Sequence, residues 1–377
     1  MNIIKLILCY AVILVTGLAT TVSAQNAIKT KGYAVLETGG KFQPYEFTRR
    51  TTGDDDIQIE TLFAGVCHSD VHKVREDWGK GSYPIVPGHE IAGRVVKVGK
   101  NVTKFKKGDY AGIGCWIGSC GKCEYCTSGM EHLCEKRVLS FASTDYFHEN
   151  EKTYGGYSNN YVVDADFAIL IPASAEISKV APLLCAGITA YAPIEYSKVK
   201  KGDKVGVAGF GGLGHLAVKY AVARGAEVTV FDITENKRQD ALTMGAKKYV
   251  NVNDSSQLRN LGNTLNVIIN TIPANYDPLM YIKMLKLDGE MAIVGLPANK
   301  DVPKINPSWL PNSPLRKIYG SNTGSIKQIQ QLIDYSVANN IYPQVEIIPI
   351  TKIDEAYTNI IKGDVKFRYV IDIKTLK

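Results

Sequence analysis

A chain of 377 residues exceeds what one core comfortably organises, so two domains are expected. At 45% apolar and 21% charged residues the composition is that of a globular enzyme, not of a disordered or fibrous chain. The 44 Lys and Arg outnumber the 37 Asp and Glu, but the excess is scattered and its densest run, Lys198-Val199-Lys200-Lys201, reads as a solvated turn, which speaks against a nucleic-acid surface.

In chain order, residues 1–24 read as a secretory signal peptide. One cation, Lys5, precedes an apolar stretch from Leu6 to Leu18 interrupted only by Thr16 and Gly17, and Val22-Ser23-Ala24 stands before Gln25. A membrane span needs about 20 apolar residues, so cleavage and a periplasmic or secreted location are expected over anchoring, with a cytoplasmic location as the alternative. No internal repeat or low-complexity segment follows.

Residues 25–175 carry short apolar runs such as Ile57 to Phe63 and Ile91 to Val98, separated by turn residues, which predicts a domain rich in antiparallel strands. Scattered through it and just beyond are Cys67 in Gly65-Val66-Cys67-His68-Ser69-Asp70, His89 with Glu90 in Pro87-Gly88-His89-Glu90, and Cys185 in Pro182-Leu183-Leu184-Cys185-Ala186-Gly187. Two thiolates and one imidazole, with a carboxylate in reserve, would leave one position of a tetrahedral zinc open, as a catalytic metal requires. Taken singly, each is as consistent with ordinary packing: Cys185 as a small buried hydrophobe, His89 as a structural histidine.

Cys120, Cys123, Cys126 and Cys134 lie within fifteen residues. Four thiols so crowded predict a closed structural zinc lobe, with disulfides and an iron–sulfur cluster as rivals; Glu135 stands where the bacterial ferredoxin run has proline. Cys115 is left over, read as a buried neighbour of the lobe.

A helix is predicted around Val180 to Pro193. Residues 203–208 then read as a buried strand running into Gly209-Phe210-Gly211-Gly212-Leu213-Gly214 and a helix from His215 to Arg224. The glycines permit a tight turn and close approach to a pyrophosphate. The next strand ends at Asp232, eighteen residues past the last glycine, where a carboxylate meets an adenosine ribose. Further strands at Tyr249 to Val252, Val267 to Asn270 and Glu290 to Val294 alternate with helical stretches, which predicts a parallel sheet with helices on both faces.

These motifs in this order resemble the zinc-containing medium-chain alcohol dehydrogenases, and more narrowly their cinnamyl alcohol dehydrogenase-like branch, over nearly the whole chain after about residue 27. The resemblance implies an α/β architecture in four stretches: the signal peptide, a GroES-like β-rich catalytic domain over 25–175, a Rossmann-type doubly wound domain over 176–322, and a return to the catalytic domain over 323–377. It implies catalytic zinc on Cys67, His89 and Cys185 with Glu90 behind, Asp70 orienting His89, a second zinc on the four-cysteine lobe, and a proton relay through Ser69 and His72. It implies dinucleotide contacts from Gly209, Gly211, Gly212, Leu213 and Gly214, from Asp232 and Lys237, from Thr189 at the nicotinamide and from Arg368 at the pyrophosphate. Trp78 and Trp116 are expected as walls of the substrate pocket. The implied reaction is hydride transfer between a primary alcohol, aromatic or medium-chain, and a nicotinamide dinucleotide, in a homodimer or homotetramer. The relatives in this branch usually carry a small hydroxyl residue where Asp232 stands and prefer NADP; the carboxylate favours NAD here, with NADP tolerated. The alternative is an exported zinc- and dinucleotide-binding protein with little or no turnover.

Overall fold

The computed structural model describes residues 27–309 and 311–377, so the signal-peptide reading lies outside the described residues. The β-rich half is organised by one long strand, Asp56–Val66. It pairs antiparallel with Ile91–Val98, Asn160–Asp164 and Arg368–Asp372, the last of these carrying residues from the end of the chain into the first sheet. Tyr110–Ile113 and Ile169–Ile171 extend this seven-stranded sheet on one side, and Val345–Pro349 on the other.

The second sheet is six-stranded and wholly parallel. Its spatial order is Lys248–Asn251, Glu227–Asp232, Lys204–Ala208, Leu265–Asn270, Leu285–Ile293 and Lys317–Gly320. Numbered along the chain this is 3-2-1-4-5-6, the doubly wound order whose ligand crevice opens where the winding reverses, beside the first strand. The expected strand from Glu290 is longer than its apolar run suggests. Leu285 already pairs with Leu265, and a register shift carries the pairing past Asp288, which holds φ 60°.

The helix expected over Val180 to Pro193 is broken. A piece over Ile177–Leu184 meets a second, Ala186–Tyr196, at 57°, and the break falls on Cys185, whose φ −129° and ψ −68° are not helical. Pro182 fits because the first piece is itself divided, into Ile177–Val180 and a 3-10 turn Ala181–Leu184, and the start of that turn needs no amide donor. Ala186 to Ile194 are buried without exception. An all-round buried helix is a core element, and this one lies in a single apolar cluster with Ala92, Ile169 and Ile171 of the first sheet and Val205, Val207 and Ile269 of the second. Among the described residues no single helix is long and apolar enough to cross a membrane.

Candidate metal and dinucleotide site

The carboxylate of Asp70 organises the first pocket. Asp70 is fully buried in the first turn of the helix His68–Val74. One oxygen accepts from the Cys67 amide at 3.0 Å and from the Tyr157 hydroxyl at 3.2 Å; the other accepts from the Gly88 amide at 3.1 Å and from His89 Nδ1 at 2.8 Å. With Nδ1 spent as a donor, His89 turns Nε2 to the pocket, the usual outer support of a metal-bound imidazole. Gly88 has φ 103°, and a Cβ there would meet Tyr157 at 2.8 Å, so the turn that delivers His89 accepts only glycine.

Ligand atoms of Cys67, His89, Glu90 and Cys185 lie within 4.8 Å of one another, all buried. Two thiols, an imidazole and a carboxylate at this spacing fit zinc with one position exchangeable. Glu90 reaches the pocket from behind because Gly65 has no side chain: a Cβ there would stand 2.0 Å from Glu90 Oε2. Its carboxylate accepts from the Ala186 amide, freed by the helix break at Cys185, at 3.3 Å and from Arg368 Nη2. Burial pushes the Glu90 carboxyl up to about 8 against the pull of Arg368.

The second metal site is closed. Cys120, Cys123, Cys126 and Cys134 bring their sulfurs within 4.8 Å of one another, with Cys123 to Cys126 at 3.5 Å and Cys120 to Cys126 at 3.9 Å. A disulfide needs about 2.05 Å, whereas a zinc tetrahedron of about 2.3 Å radius has edges near 3.8 Å. Every described cysteine is free. The backbone amides of Lys122 and Cys123 donate to Cys120 and hold its thiol down to about 6, ready to ligate as thiolate.

A cavity of about 940 Å³ runs from the first pocket to the glycine loop and beyond, with Cys67, His89 and Cys185 at one end and Asp232 and Lys237 toward the other. Gly209 holds φ 85°, and a Cβ on Gly214 would stand 1.9 Å from the Gly209 carbonyl, so strand and helix close on one another only through glycine. A Cβ on Gly211 would meet nothing within 4 Å, which leaves the loop backbone open to a ligand. Leu213 precedes the helix Gly214–Ala223. Asp232 accepts from the Phe210 amide at 2.8 Å and from the Ile233 amide at 2.7 Å, which ties this carboxylate to the loop. Lys237 lines the cavity with Asp232; its Nζ lies 3.4 Å from the Val365 carbonyl and 5.7 Å from the Phe367 ring centre. Thr189 lines the cavity beside Cys185.

Ser69 Oγ lies 3.7 Å from Cys67 Sγ. His72 is buried, with Nδ1 2.8 Å from Asp77 and Nε2 without a partner. Its ring stacks on that of His68 at 4.7 Å and is tilted against that of Trp78 at 4.7 Å. Burial, and then the neighbouring His72, push the His68 imidazole down to about 4, so this ring stays neutral near neutrality. Trp78 donates to the Pro297 carbonyl at 2.9 Å, and both Trp78 and Trp116 line the cavity. Trp116 is only 2% exposed and packs against His132. Arg368 sits under the glycine loop: a Cβ on Gly212 would stand 2.9 Å from its Cδ, while its Nη2 is committed to Glu90. Reasoning from sequence missed Asp77, the acceptor five residues beyond His72, and Tyr157, the fourth donor to Asp70; neither stands in a motif.

Two family models match the chain, the alcohol dehydrogenase GroES-like domain over residues 53–173 and the zinc-binding dehydrogenase over 212–338. The chain is 41% identical to cinnamyl alcohol dehydrogenase 2 of Rauvolfia serpentina over 367 residues, 96% of this chain and 99% of that protein. It is 44% identical to mannitol dehydrogenase of Petroselinum crispum over 336 residues, 88% and 97% of the two chains. Among solved structures, that of CAD from Helicobacter pylori complexed with NADP(H) superposes with a TM-score of 0.90 at 47% identity, covering 93% of this chain and 100% of the other. The chain belongs to the zinc-dependent medium-chain alcohol dehydrogenases, in their cinnamyl alcohol dehydrogenase-like branch. It is an oxidoreductase acting on alcohols.

Proposed function

We propose that this enzyme interconverts primary alcohols, aromatic or medium-chain, and their aldehydes with a nicotinamide dinucleotide, preferring NAD. The observation that carries the reading is one cavity joining an open four-ligand metal pocket to a glycine loop that ends a parallel strand. Cys67, His89 and Cys185 would hold the catalytic zinc, with Glu90 behind it, and the four-cysteine lobe the second. Bound zinc supplies a Lewis acid that polarises the substrate oxygen.

This chain's residues do the rest. Ser69 takes the alcohol proton at its Oγ and passes it to His72, which Asp77 holds by Nδ1. Thr189 packs the nicotinamide toward the metal end, and Gly209, Gly211, Gly212, Leu213 and Gly214 receive the pyrophosphate. Trp78 and Trp116 wall the alcohol side and exclude water; their flat apolar faces favour an aromatic or extended substrate. Kinetics of the purified mature chain with a panel of aromatic, medium-chain and short aldehydes, with NADH and NADPH, test the reading. Turnover of none of them would overturn it.

Export and self-association belong to the same proposal. The apolar run and Val22-Ser23-Ala24 support a mature form beginning near Gln25 outside the cytoplasm, and a cytoplasmic pool with Met1 intact would refute it. The open edge strand Lys317–Gly320, with Leu315 64% exposed beside it, supports a homodimer or homotetramer, which sedimentation equilibrium reads directly.

A further inference from the structure

Cys115 is the one described cysteine in neither ligand set. It follows the strand Tyr110–Ile113 and lines the cavity beside Cys67, His89 and Cys185. Its thiol lies near the Cys185 thiol and the Thr323 hydroxyl. The two cysteine segments touch through their backbones, since a Cβ built on Gly114 would stand 2.9 Å from the Leu184 carbonyl oxygen, one residue before each cysteine. The Cys115 carbonyl, accepting from the Ser140 amide at 3.0 Å, fixes the segment in place.

Thr323 supplies an independent sign. It lines the same cavity, is 6% exposed, has no partner for its hydroxyl, and holds φ 58°. A β-branched residue in the left-handed region is strained, and strain of this kind collects at functional sites. Its hydroxyl is a free donor beside a free sulfur.

We propose that Cys115 is the site at which hydroperoxides modify this enzyme, being oxidised first and then resolved by Cys185 into a disulfide that takes a ligand from the catalytic zinc. The inference rests on the reading that Cys185 ligates that zinc. In the first step the Cys115 sulfur attacks one peroxide oxygen; the O–O bond breaks, Cys115 becomes a sulfenic acid, and water or the corresponding alcohol leaves. The Thr323 hydroxyl donates to the new sulfenic oxygen. In the second step the Cys185 sulfur attacks the Cys115 sulfur. The S–S bond forms, the S–O bond breaks, and the oxygen leaves as hydroxide and takes a proton from solvent. Two sulfurs lose two electrons and the peroxide gains them. Cys67 and His89 are then left with Glu90 to hold zinc, one strong ligand short. A dithiol reverses the disulfide, and added zinc refills the pocket.

The test treats the zinc-loaded enzyme with a small molar excess of hydrogen peroxide, follows zinc release with a chromogenic chelator, and maps alkylated peptides by mass spectrometry. A Cys115–Cys185 linked peptide, loss of one of the two zinc ions, and recovery of activity with dithiothreitol plus zinc are expected. In Cys115→Ser, zinc release under the same dose slows by about tenfold. Thr323→Val, which removes no sulfur, forms the linked peptide more slowly and keeps the test open should Cys115→Ser fold poorly. A link confined to Cys67 and Cys185 or to the four-cysteine lobe, or zinc release from Cys115→Ser at the unmodified rate, would overturn the proposal. The zinc content before peroxide tests the ligand assignment alone, and the peptide map tests the disulfide alone.

Discussion

Arg368, in the last strand of the chain, binds the Glu90 carboxylate directly behind His89, so the end of the sequence closes the metal pocket formed near its beginning. Side chains of the two are 5% and 0% exposed. Burial already pushes the Glu90 carboxyl up to about 8, so without Arg368 it sits there neutral and strands no charge; what is lost is a buried charge-assisted hydrogen bond, about 1.5–3 kcal/mol. Arg368→Met should lower stability by about that amount at pH 7, and the loss should grow above pH 8, where Glu90 carries its charge only beside Arg368. Urea denaturation between pH 7 and pH 9 reads it; a loss independent of pH would show that Arg368 acts through packing alone.

The two metal sites differ in kind, and their variants should separate. Cys123→Ser should lose one zinc and much of the stability, because a closed site ties four segments of a short lobe together. Cys67→Ser should lose the other zinc and abolish turnover while the fold persists. Elemental analysis with circular dichroism distinguishes the two; one zinc in the unmodified chain, or iron, would sink the two-site assignment.

Ser69 Oγ lies 3.7 Å from Cys67 Sγ, and Ser69 stands three residues before His72 in the same helix. Ser69→Ala should reduce kcat by about a hundredfold, at the lower end of what a positioned proton acceptor contributes, with little change in zinc content. Ser69→Thr should restore most of it. Equal kcat in Ser69→Ala would remove the hydroxyl from the relay.

His215 gives the stability of the dinucleotide half a pH dependence. Its Nδ1 donates to the Gly211 carbonyl at 3.1 Å, its Nε2 accepts from the Gln344 amide at 3.3 Å, and its ring lies 4.5 Å from that of Phe367. Burial pushes this imidazole down to about 3. The unfolded chain binds a proton near pH 6.5 that the folded chain refuses, so the contribution is full above about 6.5 and is lost as pH falls toward 3. Each pH unit is worth about 1.4 kcal/mol, so on the order of 2–3 kcal/mol should vanish between pH 6.5 and 4.5. His215→Gln keeps a donor and an acceptor without the titration, and the stability difference between variant and unmodified chain should narrow across that interval. A difference independent of pH would refute the assignment.

What was legible in the sequence is what local spacing dictates. The four-cysteine lobe and the glycine loop are closed by turns of a few residues, so their residue types announce the geometry. The open pocket was legible only as a resemblance, since Cys67, His89 and Cys185 are joined by pairing of distant strands. The helix break at Cys185 was hidden because the amide it frees is satisfied by Glu90, 96 positions earlier. The resemblance alone places Arg368 toward the pyrophosphate; its position under Gly212 and its Glu90 partner, 278 positions away, follow from no local spacing. Cys115 stands five residues from the lobe in sequence but lies near Cys185 in space, across a backbone contact that no periodicity encodes.

The proposed preference for NAD turns on Asp232. A carboxylate there accepts from ribose hydroxyls and repels a 2′-phosphate carrying about −1.5 to −2 charges. At about 4 Å and an effective dielectric near 20, one unit of like charge costs on the order of 4 kcal/mol. The Phe210 and Ile233 amides hold the carboxylate in place, so it cannot swing aside without leaving two donors unpaired. Lys237, the nearby cation that could offset the charge, is half-buried toward Val365 and Phe367. Even if half the repulsion is offset, about 2 kcal/mol remains, more than tenfold in favour of NAD. The similar structure of CAD from Helicobacter pylori was solved complexed with NADP(H). Asp232→Ser should shift the ratio of kcat/KM values toward NADP by at least about tenfold, chiefly through KM. Equal or better efficiency with NADPH in the unmodified enzyme would show that Lys237 turns to meet the phosphate and that Asp232 does not decide the cofactor.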